Sequence, residues 1–203
     1  MRCMKNLLLI LLMLSLWEFP AYGAAPMAQV QITVDQVLEV LRSGQLQGPQ
    51  RRETLSHLIR ARFDFVIMSQ RTLGKNWKSA TAAEQNRFVS LFSDLLESSY
   101  IGRIEAYNDQ SVRYLAEQVD GGRAEVTTEI YGSGPDIPIS YRLVLKGDNW
   151  FIYDVVVEEI SLINNYRSTY GELIRKEGFD GLFGRMEKKI VELKTSPEGA
   201  TGQ

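Results

Sequence analysis

The chain has 203 residues, 44% of them hydrophobic and 24% charged, with a formal net charge of -2. That length and balance suit one globular domain with a real core. The near-neutral charge gives no pull toward a polyanion, and no long basic run occurs, which excludes nucleic acid as a partner.

The first residues set the expected compartment. Arg2 and Lys5 precede an unbroken apolar run, Leu7 to Leu16, and Ala21-Tyr22-Gly23 puts small residues where a signal peptidase reads. The pattern predicts a secretory signal peptide over 1–23, cut after Gly23. The run falls short of the roughly 20 apolar residues that span a bilayer. The sole cysteine, Cys3, lies inside that leader. The mature chain is therefore expected to hold no disulfide, no thiolate nucleophile and no cysteine metal site. A single domain is expected over 24–194, and the polar, turn-rich 195–203 reads as a disordered tail.

Thr33 to Gln36 reads as a helix start, with Thr33 as N-cap and Val34, Val37, Leu38 and Leu41 at helical spacing. Gly44 and Gly48-Pro49 end it, and a second helix runs from Pro49 toward Arg62. Asp64 caps a short helix that Gly74 stops, and Trp77 packs before the next one. Thr81 to Glu84 is a capping box. Behind it Phe88, Leu91, Phe92, Leu95, Leu96 and Tyr100 make a wide apolar stripe on the longest and most central helix.

From Ser111 the period becomes alternating. Asp120-Gly121-Gly122 predicts a hairpin turn, the second strand runs through Ile130, a third covers Ile139 to Lys146, and Gly147-Asp148-Asn149 turns into a fourth from Trp150. A three-residue turn there would put Tyr141, Leu143 and Leu145 on one face with Phe151, Tyr153, Val155 and Val157, and a one-residue slip would swap the faces. This fourth strand is apolar on both faces, so something apolar must lie on each side. Ile160 to Lys176 and a segment after Gly178, with Leu182, Phe183, Met186, Ile190 and Leu193, read as helices. The expected class is α+β, with helices packed on a curved four-stranded antiparallel sheet.

Chemistry is sparse. His57 is the only histidine, and no HExxH, CxxC, EF-hand or P-loop pattern occurs, so no metal or cofactor is expected. Gly132-Ser133-Gly134 lacks the strand-turn-helix setting of a nucleophile. Asp154 stands out, because a charge amid apolar strand residues is costly unless paired. It reads as a structural anchor, tied to a helix-start amide or to Arg167. The alternatives are a general base with a pKa raised by burial, or a contact to a ligand head group.

The chain resembles the MlaC family of periplasmic phospholipid-binding proteins, also called toluene-tolerance auxiliary proteins. The matching residues are Phe63-Asp64-Phe65, Met68, Leu73 to Trp77, Gln85, Phe88, Phe92, Leu95-Leu96, Tyr100, Tyr141-Arg142, Trp150, Tyr153 to Val155, Ile160 to Leu162, Asn165 to Arg167, Gly178 and Asp180 to Leu182. Glu159 departs from the pattern, where the family more often has glycine. The resemblance implies helices around a curved four-stranded sheet of the nuclear-transport-factor-2-like shape, enclosing an apolar pocket for the acyl chains of a phospholipid. It implies no catalysis and a role in outer-membrane lipid asymmetry and solvent tolerance. It implies two docking partners, an inner-membrane ABC transporter complex with a substrate-binding ring and an outer-membrane lipoprotein complex. A sibling group carries hopanoid-type lipids, which leaves the ligand class open. The expected product is a monomeric periplasmic carrier. Its expected lining is Phe92, Leu96, Tyr100, Ile104, Tyr141, Leu143, Tyr153, Val155 and Val157, with Asp154, Arg167, Trp77 and Trp150 structural. The competing reading is a small-molecule enzyme with Asp154 as base, carried by fold analogy alone.

Overall fold

The structure is a computed structural model that describes residues 24–106, 110–132 and 134–195. The expected leader over 1–23 and the tail residues 196–203 lie outside the described residues. The elements in order are α1 (Pro26–Arg42), α2 (Gly48–Arg62), α3 (Phe65–Leu73), α4 (Lys75–Ser79), α5 (Ala82–Glu105), β1 (Ser111–Asp120), β2 (Arg123–Tyr131), β3 (Ile137–Lys146), β4 (Asn149–Val157), β5 (Ile160–Ser161) and α6 (Leu162–Thr195). Among the described residues no helix is long and apolar enough to cross a membrane.

Most helix boundaries follow their local signals. Asp64 caps α3, its side chain accepting from the Ile67 amide at 2.9 Å. Thr81 and Glu84 form the reciprocal capping box at the start of α5. Thr33, expected as an N-cap, instead lies inside α1, which starts at Pro26. Proline suits a first helical turn because its missing N–H would have no partner there. The Thr33 hydroxyl donates back to the Gln29 carbonyl at 3.0 Å. At Gly178 the backbone leaves helical geometry (φ 69°, ψ -172°), which divides α6 into 162–177 and 179–195.

The sheet is an antiparallel meander of five strands in the order β1-β2-β3-β4-β5, one more than the four expected. The fifth is the two-residue Ile160–Ser161, paired back on β4 with Val157 opposite Ile160. Ile160 was expected to open a helix with its side chain inward. It sits in this strand instead, 65% exposed. The turn between β4 and β5 places Glu158 and Glu159 at φ of 48° and 67°. These are left-handed values that L-residues with a Cβ rarely adopt.

The β3–β4 register differs from expectation for two reasons. Lys146 pairs with Asn149, so the turn holds only Gly147 and Asp148, and Leu145 faces Trp150. The register then shifts between Arg142 and Leu143: Arg142 pairs with Asp154 and Leu143 with Ile152, which leaves Tyr153 as the extra residue of a β-bulge. Tyr141 and Leu143 therefore share a face with Ile152 and Val155, and Phe151 lies opposite Val144.

Two apolar cores follow. One holds Met68, Phe88, Phe92, Leu95, Leu96, Tyr153, Tyr170, Leu182, Phe183 and Met186, drawn from α3, α5, α6 and the bulge. The other holds Val30, Ala124, Val126, Leu143, Trp150 and Ile152, drawn from α1 and the sheet. Phe63 packs at the edge of both. This is why β4 has no wet face: Trp150 and Ile152 serve one core and Tyr153 serves the other.

Candidate functional site

The best-built polar group in the molecule surrounds Asp154, which is 4% exposed. Its Oδ1 accepts from the Ile163 amide at 3.1 Å. Its Oδ2 accepts from Ser161 Oγ at 2.7 Å and from Arg142 Nη1 at 3.2 Å. Ser161 Oγ in turn accepts from the Asn164 amide at 3.1 Å, so Asp154 and Ser161 together satisfy first-turn donors of α6. Burial works against the Arg142 guanidinium, and the hydrogen bonds and charges of Glu125 and Asp154 outweigh it and hold its pKa above the ordinary value. Of the expected anchors, the helix-start amide is present and Arg167 is not. Arg167 Nε donates to the Arg71 carbonyl at 2.6 Å and ties α6 to α3 instead. The ion-pair partner is Arg142, which the sequence hid because only the bulged register sets it opposite Asp154. A carboxylate engaged by three donors, with about four acceptor sites in all, is a structural tie of β4 to the start of α6.

A second polar tie was missed. Arg62 Nη1 donates to Gln29 Oε1 at 2.6 Å and to the Trp150 carbonyl at 3.0 Å, and its Nε donates to Thr33 Oγ1 at 3.0 Å. The Trp150 amide donates to the same Gln29 Oε1 at 3.0 Å. Burial lowers the Arg62 pKa, and all these partners are neutral. The available signal was Gln29 and Thr33, polar residues one turn apart on the inward face of α1. Trp150 thus holds α1, α2 and β4 together. Trp77 packs at the edge of the helical core, and its carbonyl accepts from Gln85 Nε2 at 2.9 Å.

The expected lining residues fall into three settings. Phe92, Leu96 and Tyr153 lie buried in the helical core and Leu143 in the sheet core. The Arg71 guanidinium covers the Tyr153 ring at 4.0 Å. Tyr100, Ile104, Tyr141 and Val155 are half-buried. Val157 is 38% exposed at the end of β4. The half-buried set continues on α1 with Val34, Val37, Leu38 and Leu41, on α2 with Leu58 and Ile59, and on the sheet with Tyr114, Ile130 and Ile139. The long helix α5 packs mainly on α2, α3 and α6, not on the strands, while α1 rests on β1 and β2. Half-buried apolar side chains on α5 and on the sheet thus lie at the margins of the two dry cores.

Aromatic geometry fixes the α5–α6 seam. Phe92 meets Tyr166 edge-on at 5.3 Å, and Phe88 meets Tyr170 edge-on at 5.9 Å. Burial, with the nearby Tyr100 hydroxyl as the next cause, pushes the Tyr166 pKa up to about 12. Burial also raises Tyr100 and, more strongly, Tyr170. All three therefore stay protonated hydrogen-bond donors near neutral pH. Among the described residues no group of His, Cys, Asp and Glu is placed to hold a metal ion.

A family model described as MlaC protein matches residues 31–188. The Haemophilus influenzae "intermembrane phospholipid transport system binding protein MlaC" is 21% identical over 178 residues, covering 83% of each chain. The Pseudomonas putida "toluene tolerance protein ttg2D" is 27% identical over 129 residues, covering 60% of each. A solved structure from Ralstonia solanacearum, a phospholipid-binding protein in complex with a phospholipid, superposes with a TM-score of 0.76 at 23% identity. It covers 85% of this chain and 100% of that one, and it shares the fold.

Proposed function

The chain belongs to the MlaC family, and on that premise we propose that it is a carrier that holds a phospholipid by its acyl chains. The observation that supports this most directly is the set of half-buried apolar side chains on α5 and on the sheet, left between two cores that are already dry without them. A diacyl lipid has about 30 methylenes, and exposing them to water costs on the order of 20 kcal/mol at about 0.8 kcal/mol each. Free passage through water is negligible at that cost. A carrier shields the chains and leaves the charged head wet, since burying it unpaired would be prohibitive. Tyr100, Ile104, Tyr141 and Val155 are the side chains best placed to give way to a chain, with Phe92, Leu96, Leu143 and Tyr153 behind them and Val157 at the rim.

In this reading residues 1–23 export the chain to the periplasm, and 24–194 work there as one lipid-binding unit without catalysis. Two partners, an inner-membrane ABC transporter complex and an outer-membrane lipoprotein complex, load and unload it. Each must bind one loading state better than the other, because a partner shifts an equilibrium only through differential affinity.

The test is to purify the chain from a periplasm, extract it with organic solvent and identify the released lipid by mass spectrometry, beside Val155→Asp. Phospholipid is expected from the wild type and little from the variant. A folded Val155→Asp protein carrying a full load would take that sheet face out of the site, and a wild type that releases no lipid would sink the carrier reading.

A further inference from the structure

The last turn of α5 carries Tyr100, Arg103 and Ile104. Positions three and four apart on a helix are neighbours, so Arg103 and Ile104 flank the Tyr100 side chain. Tyr100 is half-buried against the helical core. Its hydroxyl accepts a hydrogen bond from that of Tyr166, which leaves the Tyr100 O–H to donate elsewhere. Tyr166 is held in place, its ring edge-on against Phe92 at 5.3 Å and tilted against Tyr170 at 5.3 Å. One neutral donor, the Tyr100 hydroxyl, is thus held where the otherwise apolar α5–α6 seam meets the half-buried surface.

Arg103 supplies a charge at the same place. Its guanidinium lies over the Tyr100 ring, 5.7 Å from the centroid. The arginines around it are spoken for: Arg51 and Arg52 face Glu105, and Arg60 faces Asp94 and Glu97. Among the described residues Arg103 meets a ring and no carboxylate. An exposed cation held over the Tyr100 ring, beside a hydroxyl donor and the half-buried Ile104, offers the groups that the polar end of a glycerophospholipid needs. The phosphodiester is the outermost anion, the ester carbonyls are acceptors just inside it, and the acyl chains follow. A guanidinium is well suited to phosphate oxygens because its donors are planar and always charged.

We infer that Arg103 and Tyr100 anchor the polar end of the carried lipid, Arg103 on the phosphate and the Tyr100 hydroxyl, oriented by Tyr166, on an ester carbonyl. The anchor selects phosphate-bearing diacyl lipids over polycyclic lipids that lack both groups, and it rests on the phospholipid-carrier reading. It does not oppose release, because an exposed Arg–phosphate contact is screened by salt and readily exchanged.

The test uses delipidated full-length mature chain and two water-dispersible probes with the same chains and esters, dioctanoyl phosphatidylglycerol and dioctanoylglycerol. Each is titrated against a bound fluorescent acyl probe. Arg103→Ala, at an exposed position, is expected to weaken the phosphatidylglycerol about tenfold and leave dioctanoylglycerol unchanged. Arg103→Lys should restore part of the loss. Tyr100→Phe keeps the ring under Arg103 and is expected to weaken both probes by a similar factor of about three to ten. An Arg103→Ala variant that binds both probes as the wild type does, or weakens both alike, overturns the phosphate contact. Tyr100→Phe without effect overturns the ester contact. A wild type that displaces the fluorescent probe with neither lipid overturns the carrier reading itself, and the anchor with it.

Discussion

Asp154→Ala tests whether the strand that divides the two cores is held by this one carboxylate. The side chain is 4% exposed and accepts from Ser161 Oγ, Arg142 Nη1 and the Ile163 amide. A hydrogen bond to a charged group contributes about 1.5–3 kcal/mol. The Arg142 side chain is 37% exposed, so water replaces the lost carboxylate there and its share falls below about 1 kcal/mol. The Ser161 hydroxyl can rotate, but the Ile163 amide in the first turn of α6 has no substitute acceptor. The sum for Asp154→Ala is about 3–4 kcal/mol. Asp154→Asn keeps an acceptor for Ile163 but turns a donor toward Ser161 and Arg142, and is expected to cost about 2 kcal/mol. Arg142→Ala should cost less than about 1 kcal/mol. Urea unfolding followed by circular dichroism measures all three, with the slope held constant across variants. Two results would refute the reasoning. One is an Asp154→Ala loss below about 1 kcal/mol. The other is an Arg142→Ala loss equal to it, which would put the ion pair and not the helix cap in command.

Thr81→Ala removes the capping box of α5 and is expected to cost about 1 kcal/mol, read as a lowered thermal midpoint. Glu159→Gly relieves a φ of 67° and is expected to stabilise by about 0.5–1 kcal/mol in urea, and a loss instead would mean that Glu159 makes a compensating contact. Tyr100, Tyr166 and Tyr170 have pKa values raised by burial, so the unfolded chain releases their protons first. Their contribution is whole below the ordinary tyrosine value of about 10 and declines as pH rises toward about 12, where Tyr166 titrates. Ultraviolet titration should therefore show late tyrosinate signal arriving with unfolding, less steeply in Tyr166→Phe. Leu143→Ala, at 0% exposure, should cost about 2–5 kcal/mol, while Val155→Ala on the same sheet face should cost under about 1.5 kcal/mol. Equal losses in thermal unfolding would make Val155 part of the dry core.

Local signals carried most of the helical architecture. Asp64, the Thr81–Glu84 box, Gly74 and Gly178 each act through their own backbone or a neighbour three or four residues away, so their effect is visible in sequence. The α1 start was misread because Thr33 has an N-cap's composition, yet Pro26 and the inward Gln29 reward continuing the helix across it. The sheet register was misread for a non-local reason. A bulge at Tyr153 depends on Tyr153 finding the helical core while Ile152 finds the other, a choice that no alternation in the strand records. The same bulge hid the pairing of Arg142 with Asp154. The family resemblance located the likeness of the chain correctly, whereas the fifth strand needed the Glu158–Glu159 turn, whose left-handed residues carry no glycine to announce it.

The division into two cores bears on how such a chain could work empty as well as loaded. The only cysteine, Cys3, lies in the expected leader, so no disulfide is expected to brace the fold. Phe88, Phe183, Leu182 and Met186 on one side and Val30, Val126 and Leu143 on the other are essentially dry without any ligand. Interiors packed at this density resist deformation. Give is more available where side chains are half-buried, as at Tyr100, Ile104, Tyr141 and Val155. On the proposed carrier reading, a ligand admitted there would replace water against apolar surface and spare both cores, so that affinity could be tuned without a matching loss of stability. Asp154 and Arg62 stand on the opposite side of this division. Each fixes a strand–helix junction between the cores, and each is the kind of residue whose loss should appear first in unfolding and only through unfolding in lipid retention.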